Sequence, residues 1–127
     1  MVSAVLDASA VLAVLNAEPG AESVTDALDD ALLSAVNYAE VIGALVERGA
    51  TLDQARSICL SITLNTVDFD LPLAERAGEL RRRTKHLRLS LADRACLALA
   101  EREGVPALTS DRKWSQLGSG FDVRIIR

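Results

Sequence analysis

Residues 2–20, VSAVLDASAVLAVLNAEPG, run from a short apolar segment into an acid and then at once into a second apolar segment closed by Pro19-Gly20. The first six residues read as a strand, and the apolar spacing from 9 to 16 reads as a helix that Pro19-Gly20 ends. A strand followed directly by a helix is half of a βαβ unit and points to a parallel sheet.

The alternation continues along the chain. ALLSAV (31–36), LNTVDF (64–69), VPALTS (105–110) and the closing FDVRII (121–126) read as four further strands. Helices are expected at 9–16, 21–30, 37–48, 52–61, 73–86 and 91–103, with a short one at 111–117. Gly49 and Gly104 stop two of them, and Pro72 stands at the start of the fifth. The expected fold class is α/β: three layers, α/β/α, around a central, mainly parallel five-stranded sheet, in a single domain spanning 1–127. No linker, repeat or low-complexity tract interrupts it.

The 127 residues suffice for one core. Half are hydrophobic but only 3% are aromatic, so Ala, Leu and Val must build it. The formal net charge is −4, which argues against a general electrostatic sponge for nucleic acid. Cys59 and Cys96 lack metal-type spacing and sit in apolar helical patterns, where Cys behaves as a small hydrophobe. The first strand begins too early for a signal peptide, and no apolar stretch is long enough to span a bilayer. A cytoplasmic protein without membrane contact is expected.

Residues 89–104, LSLADRACLALAEREG, raise a question of chemistry. Asp93 and Arg94 open a helix that is apolar nearly all round, and a carboxylate buried there needs a donor, a cation or a metal. Three other acids share its kind of position. Asp7 closes strand one, Glu40 follows Asn37 in SAVNYAEV, and Asp111 follows strand four in LTSDRKW. Capping explains each alone, since Asn37 with Glu40 and Ser90 with Asp93 have capping-box spacing and Asp111 can cap the last helix. Capping does not explain why all four fall at strand ends and helix starts, along the edge where open parallel sheets bind ligands.

Four carboxylates at one edge repel one another unless a cation neutralises them. Mg²⁺ or Mn²⁺ suits oxygen ligands and needs only one or two direct carboxylates. An all-acid site without a catalytic His or Lys fits metal-assisted hydrolysis of a phosphodiester, as in a nucleic-acid backbone.

VLDASAVLAVLNAEPG, SAVNYAEV, LSLADRACLALA and LTSDRKW, in that order, resemble the successive motifs of the PIN domain, and within it those of VapC toxins from type II toxin–antitoxin pairs. The likeness runs from residue 2 to the closing FDVRIIR. It implies a PIN-like fold and a divalent-metal-dependent endoribonuclease that inhibits translation and growth. Asp7, Glu40, Asp93 and Asp111 would bind Mg²⁺ (or Mn²⁺), and Ser9 would position metal-bound water or phosphate beside the first acid. It also implies a homodimer, a VapB-type antitoxin that blocks the acids, an RNA substrate, and DNA contact only through the antitoxin complex.

The basic stretch RRRTKHLR (81–88) can follow a phosphate backbone or form a solvated helix face. Arg94 and Arg112 each follow a proposed ligand and suit either phosphate or an orienting ion pair. His86 reads as a surface residue and Trp114 as packing for the last helix. Ser9 has no base partner for a hydrolase triad. Two other functions compete: a PIN-fold protein acting mainly in an antitoxin or operator complex, and a receiver-like phosphoacceptor. The latter wants paired acids after strand one and a late lysine, but strand one offers one acid and no lysine lies beyond Lys113.

Overall fold

The computed structural model describes residues 1–127. In chain order it holds β1 (Ala4–Leu6), α1 (Ala8–Leu15), α2 (Ala21–Ala27), β2 (Ala31–Ser34), α3 (Ala35–Glu47), α4 (Leu52–Leu60) and β3 (Asn65–Val67). There follow α5 (Leu71–Glu79), α6 (Arg81–Thr84), α7 (Leu91–Glu103), β4 (Ala107–Thr109) and β5 (Val123–Ile125). Short 3-10 turns occupy Leu28–Asp30, Lys85–Leu87 and Arg112–Leu117.

The sheet order is β3-β2-β1-β4-β5, and every neighbouring pair is parallel. Side chains of a strand alternate between faces, so a sheet covered on both sides needs apolar residues at every position. In β1, Ala4 and Leu6 enter one core with Val11, Val24, Val41 and Leu45, while Val5 enters the opposite core with Leu73, Leu80, Leu99 and Trp114. Leu108 and Ala107 of β4 divide the same way. The expected three-layer α/β/α class is therefore what forms. Cys59 and Cys96 are buried free thiols, one in each core, and Trp114 is buried as expected.

The strands are shorter than expected and the helix expected over 21–30 ends at Ala27 in a 3-10 turn; three further boundaries move near the candidate site and the α5–α7 packing. Helix α3 starts at Ala35 rather than 37, because Ser34 ends β2 and caps the helix itself by accepting the Val36 N–H at 3.2 Å. Asn37 is thus not a cap, and the Asn37–Glu40 capping box does not form. The helix expected over 73–86 begins at Leu71, with Pro72 in its first turn and Asp70 as cap, and divides after Glu79 into α5 and α6. The final helix is a 3-10 segment beginning at Arg112.

Gly20 fixes the edge nearest β5. Its φ is +92°, and a Cβ there would stand 2.3 Å from the Ile126 carbonyl oxygen, so only glycine lets the C-terminal segment lie against the start of α2.

Candidate active site

Strands β2 and β3 lie to one side of β1, and β4 and β5 to the other, so strand order reverses between β1 and β4. Asp7 stands just past the end of β1 and Thr109 ends β4. The Thr109 hydroxyl donates to Asp7 Oδ2 at 2.5 Å. Asp7 also caps α1: its Oδ1 accepts the Ala10 N–H at 2.9 Å and the Ser9 hydroxyl at 2.6 Å. Ser9 Oγ in turn accepts the Ser110 N–H at 2.9 Å, and Thr109 Oγ1 accepts the Asp111 N–H at 3.0 Å. Two hydroxyls thus spend their single protons on one carboxylate and use their lone pairs to hold the loop that carries Asp111.

Asp7 is only 5% exposed. Burial pushes its carboxyl up to about 6, against the hydrogen bonds from Ser9, Thr109 and Ala10, and the charge on Asp93 pushes the same way. Cys96, one helical turn beyond Asp93, lies beneath the acids. Its thiol is held well above the usual range by burial first and then by the charges of Asp7, Asp93 and Glu40. Carboxylates from three distant parts of the chain therefore act on one buried atom.

Asp93 is half-buried at the rim, and it meets its own helix end. Ser90 accepts the Asp93 N–H at 3.1 Å while Asp93 Oδ2 accepts the Ser90 N–H at 3.0 Å, which is the expected capping box. The buried charge of that stretch belongs to Arg94, whose Nη1 donates to the Ala77 carbonyl at 2.8 Å. Arg94 therefore braces α7 against α5 and orients no acid. Glu40 is exposed in the second turn of α3, and its Oε1 accepts from the Asn37 amide at 3.0 Å. Asp111 caps the 3-10 turn through the Lys113 N–H at 3.1 Å, with Lys113 Nζ 3.8 Å from its other oxygen.

No group of three or more His, Cys, Asp or Glu side chains is arranged to hold a metal ion. Asp93 and Asp111 are engaged as helix caps and Glu40 is drawn to Asn37, so the acids share an edge without converging on one point. The donor set is all oxygen, and Asp7 bears an electrostatic load that a cation would lift. Those features fit a hard ion that keeps several waters and takes few direct carboxylates.

Two site residues were not picked out by the sequence reading. Thr109 passes for a strand residue, although a hydroxyl ending an apolar strand beside an acid is its signal. Asn37 passes for a cap, yet it is buried and its amide bridges Glu40 to the Ala92 carbonyl at 3.1 Å, tying α3 to the start of α7. Its Oδ1 has no partner.

A family model described as the PIN domain matches residues 4–119. No curated protein matches the chain significantly. Among solved structures, a toxin–antitoxin complex from Klebsiella pneumoniae is similar at a TM-score of 0.77 and 20% identity, over 98% of each chain. VapBC-5 from Mycobacterium tuberculosis, a member of the VapBC family of toxin–antitoxin systems, gives 0.66 and 26% over 100% of this chain and 99% of the other. VapC20 from Mycobacterium tuberculosis, a toxin that cleaves the sarcin–ricin loop, gives 0.71 and 22% over 91% and 95%.

Proposed function

Because the chain belongs to the PIN-domain family, we propose that it is a divalent-metal-dependent endoribonuclease, the toxin of a type II toxin–antitoxin pair, acting as one nuclease domain over residues 1–127. The observation that carries this is Asp7: a nearly buried carboxylate at the β1–β4 reversal, loaded by a second acid and held at both oxygens by Ser9 and Thr109.

Asp7 and Asp93 would hold Mg²⁺ or Mn²⁺, with Glu40 and Asp111 fixing its waters. The bound ion would supply a water of lowered pKa and screen the charge of the phosphodiester. The chain's own groups do the positioning. Ser9 and Thr109 fix the rotamer of Asp7, and Asn37 fixes Glu40. The α7 capping box aims Asp93. Ser9 Oγ, whose proton goes to Asp7, keeps a lone pair beside the first acid that would accept from a metal-bound water.

The partners proposed are an RNA substrate, a VapB-type antitoxin that covers the acids, and a second copy of the chain in a homodimer. DNA contact comes only through the antitoxin complex. No helix is long and apolar enough to cross a membrane, and the proposed location is the cytoplasm.

The test is incubation of purified protein with a panel of structured RNAs, with Mg²⁺, with Mn²⁺ and with chelator. Cleavage should need the ion and fall at least about a thousandfold in Asp7→Asn and Asp93→Asn, the scale of losing essential charge stabilisation. Undiminished cleavage in both variants would remove the basis of the proposal. A second reading, complex formation with little catalysis, draws on the lack of an assembled metal-binding group. It predicts no cleavage under any of these conditions.

A further inference from the structure

Residues 81–88 concentrate Arg81, Arg82, Arg83, Lys85 and Arg88, five of the chain's 14 Lys and Arg, in a protein of net charge −4. Of the nine cations elsewhere, Arg56, Arg76, Arg102, Lys113 and Arg127 lie within ion-pair distance of an acid, Arg48 and Arg94 donate to Asn16 and to the Ala77 carbonyl, and only Arg112 and Arg124 are unpaired. None of the five in 81–88 has an acid partner. Arg83 instead lies over the Phe121 ring, 4.5 Å from its centroid, and Arg81, Arg82, Lys85 and Arg88 are exposed.

Their place follows from how α5 and α7 pack. Asp70 at the start of α5 pairs with Arg102 near the end of α7 at 3.0 Å, and Ala77 near the end of α5 accepts from Arg94 near the start of α7. The two helices are therefore antiparallel. The turn that leaves α5 emerges at the end of the molecule where α7 begins, which is the end of Asp93. The same turn reaches the 3-10 segment that Asp111 caps, with His86 Nε2 3.5 Å from the Gln116 carbonyl. It is also firmly seated, because Leu80, Thr84 and Leu89 are buried and Thr84 Oγ1 donates to the Leu80 carbonyl at 3.0 Å. Arg88 has a φ of +53°, a costly conformation for a side chain this size. A hollow of about 760 Å³ opens along the turn, lined by Arg81, Arg82, Arg83 and Lys85 together with Gly78 and the Arg76–Glu79 ion pair, none of them hydrophobic.

We propose that Arg81, Arg82, Lys85 and Arg88 form a phosphate-tracking surface that seats an RNA strand as it runs into the acidic edge. An acidic site repels a polyanion, so the cations that overcome this must stand at the same end and be free of acid partners. These residues meet both conditions. The inference deepens the nuclease proposal and rests on it for its choice of ligand.

The test measures affinity for a fluorescein-labelled oligouridine strand in chelator, across a range of salt, so that binding is read without cleavage. The triple variant Arg81→Gln/Arg82→Gln/Lys85→Gln removes only exposed, unpaired charges and should melt with the parent. The slope of log affinity against log salt should become shallower by about 2, at roughly 0.7 per phosphate contact on a single strand. Arg88→Gln alone should lose about 0.7. With ion present, the triple variant should raise KM and leave kcat in place, whereas Arg56→Gln/Arg124→Gln, which removes two cations elsewhere, should change neither quantity. Parent-like affinity and slope in the triple variant would overturn the surface, and so would an equal loss in the control. A parent that shows no affinity for the strand overturns it too, whatever the cleavage assay says. If the parent binds, the triple variant does not, and neither cuts RNA, the surface stands and the nuclease proposal falls.

Discussion

Asp7 sits where two effects of opposite sign meet. Three donors stabilise its charged form, yet burial and Asp93 win and hold its carboxyl at about 6 against an ordinary 3.8. A raised pKa means that the folded state binds this proton more tightly than the unfolded chain does. Stability contributed by that proton is fully present below about pH 4 and is lost as pH rises through about 6, for a total of roughly 3 kcal/mol at about 1.4 per unit. In chelator at pH 7.5, Asp7→Asn should therefore be more stable than the parent by about 1 to 3 kcal/mol in denaturant titrations. At pH 4 the gain should disappear, and a variant less stable at both pH values would refute the burial argument. Thr109→Val tests the opposing donors: it leaves Asp7 Oδ2 without its hydroxyl and should cost about 1 to 3 kcal/mol while slowing cleavage. Repulsion between Asp7 and the other acids was legible in their shared kind of position, but the depth of Asp7's burial and Thr109's role were not, because both depend on segments that return beside β1 from far along the chain. The acid itself was legible, since Asp7 breaks an apolar run where a strand gives way to a helix.

At the scale of elements, local signals were faithful where the chain alone decides the structure. The Ser90–Asp93 box formed as spaced, and α7 is buried nearly all round as its run of small and apolar residues implies. They failed where a neighbour decides. Ser34 took the capping role expected of Asn37, which freed Asn37 to cross to α7, and Arg94 turned inward to a carbonyl of α5. The α7 box thus does two jobs, ending the helix and aiming an acid, and Ser90→Ala separates them. Loss of the cap should cost about 1 kcal/mol, while kcat should fall by a larger factor than so modest a destabilisation explains, because Asp93 loses the partner that holds its backbone N–H. A fall in melting temperature with kcat intact would mean that the box serves the helix alone. Gly20→Ala probes the other boundary. A Cβ 2.3 Å from the Ile126 carbonyl, at φ +92°, should cost about 2 kcal/mol or more in thermal unfolding without altering cleavage by the folded fraction.

For the molecule as a whole, fold and site depend on one topological fact, the reversal at β1 that sets strand ends and helix starts from distant parts of the chain along one edge. That arrangement stores repulsion among acids, which a proton on Asp7 relieves and which, on the nuclease proposal, a divalent ion would relieve in its place. Without ion, the native state gains by keeping Asp7 protonated, so stability falls as pH rises through about 6. On the nuclease proposal a divalent ion would bind the ionised carboxylate and compete with that proton, so its stabilisation would grow over the same interval. At an ion concentration of about 100 times Kd the gain should reach about 2.7 kcal/mol near pH 7.5 and shrink towards pH 5. Melting curves across pH should therefore fall in chelator and stay nearly level with Mg²⁺ for the parent, whereas Asp7→Asn should show neither the fall nor the ion's effect. Parallel curves for the parent would mean that Asp7 meets no cation, and the acids would then be helix caps that happen to share an edge.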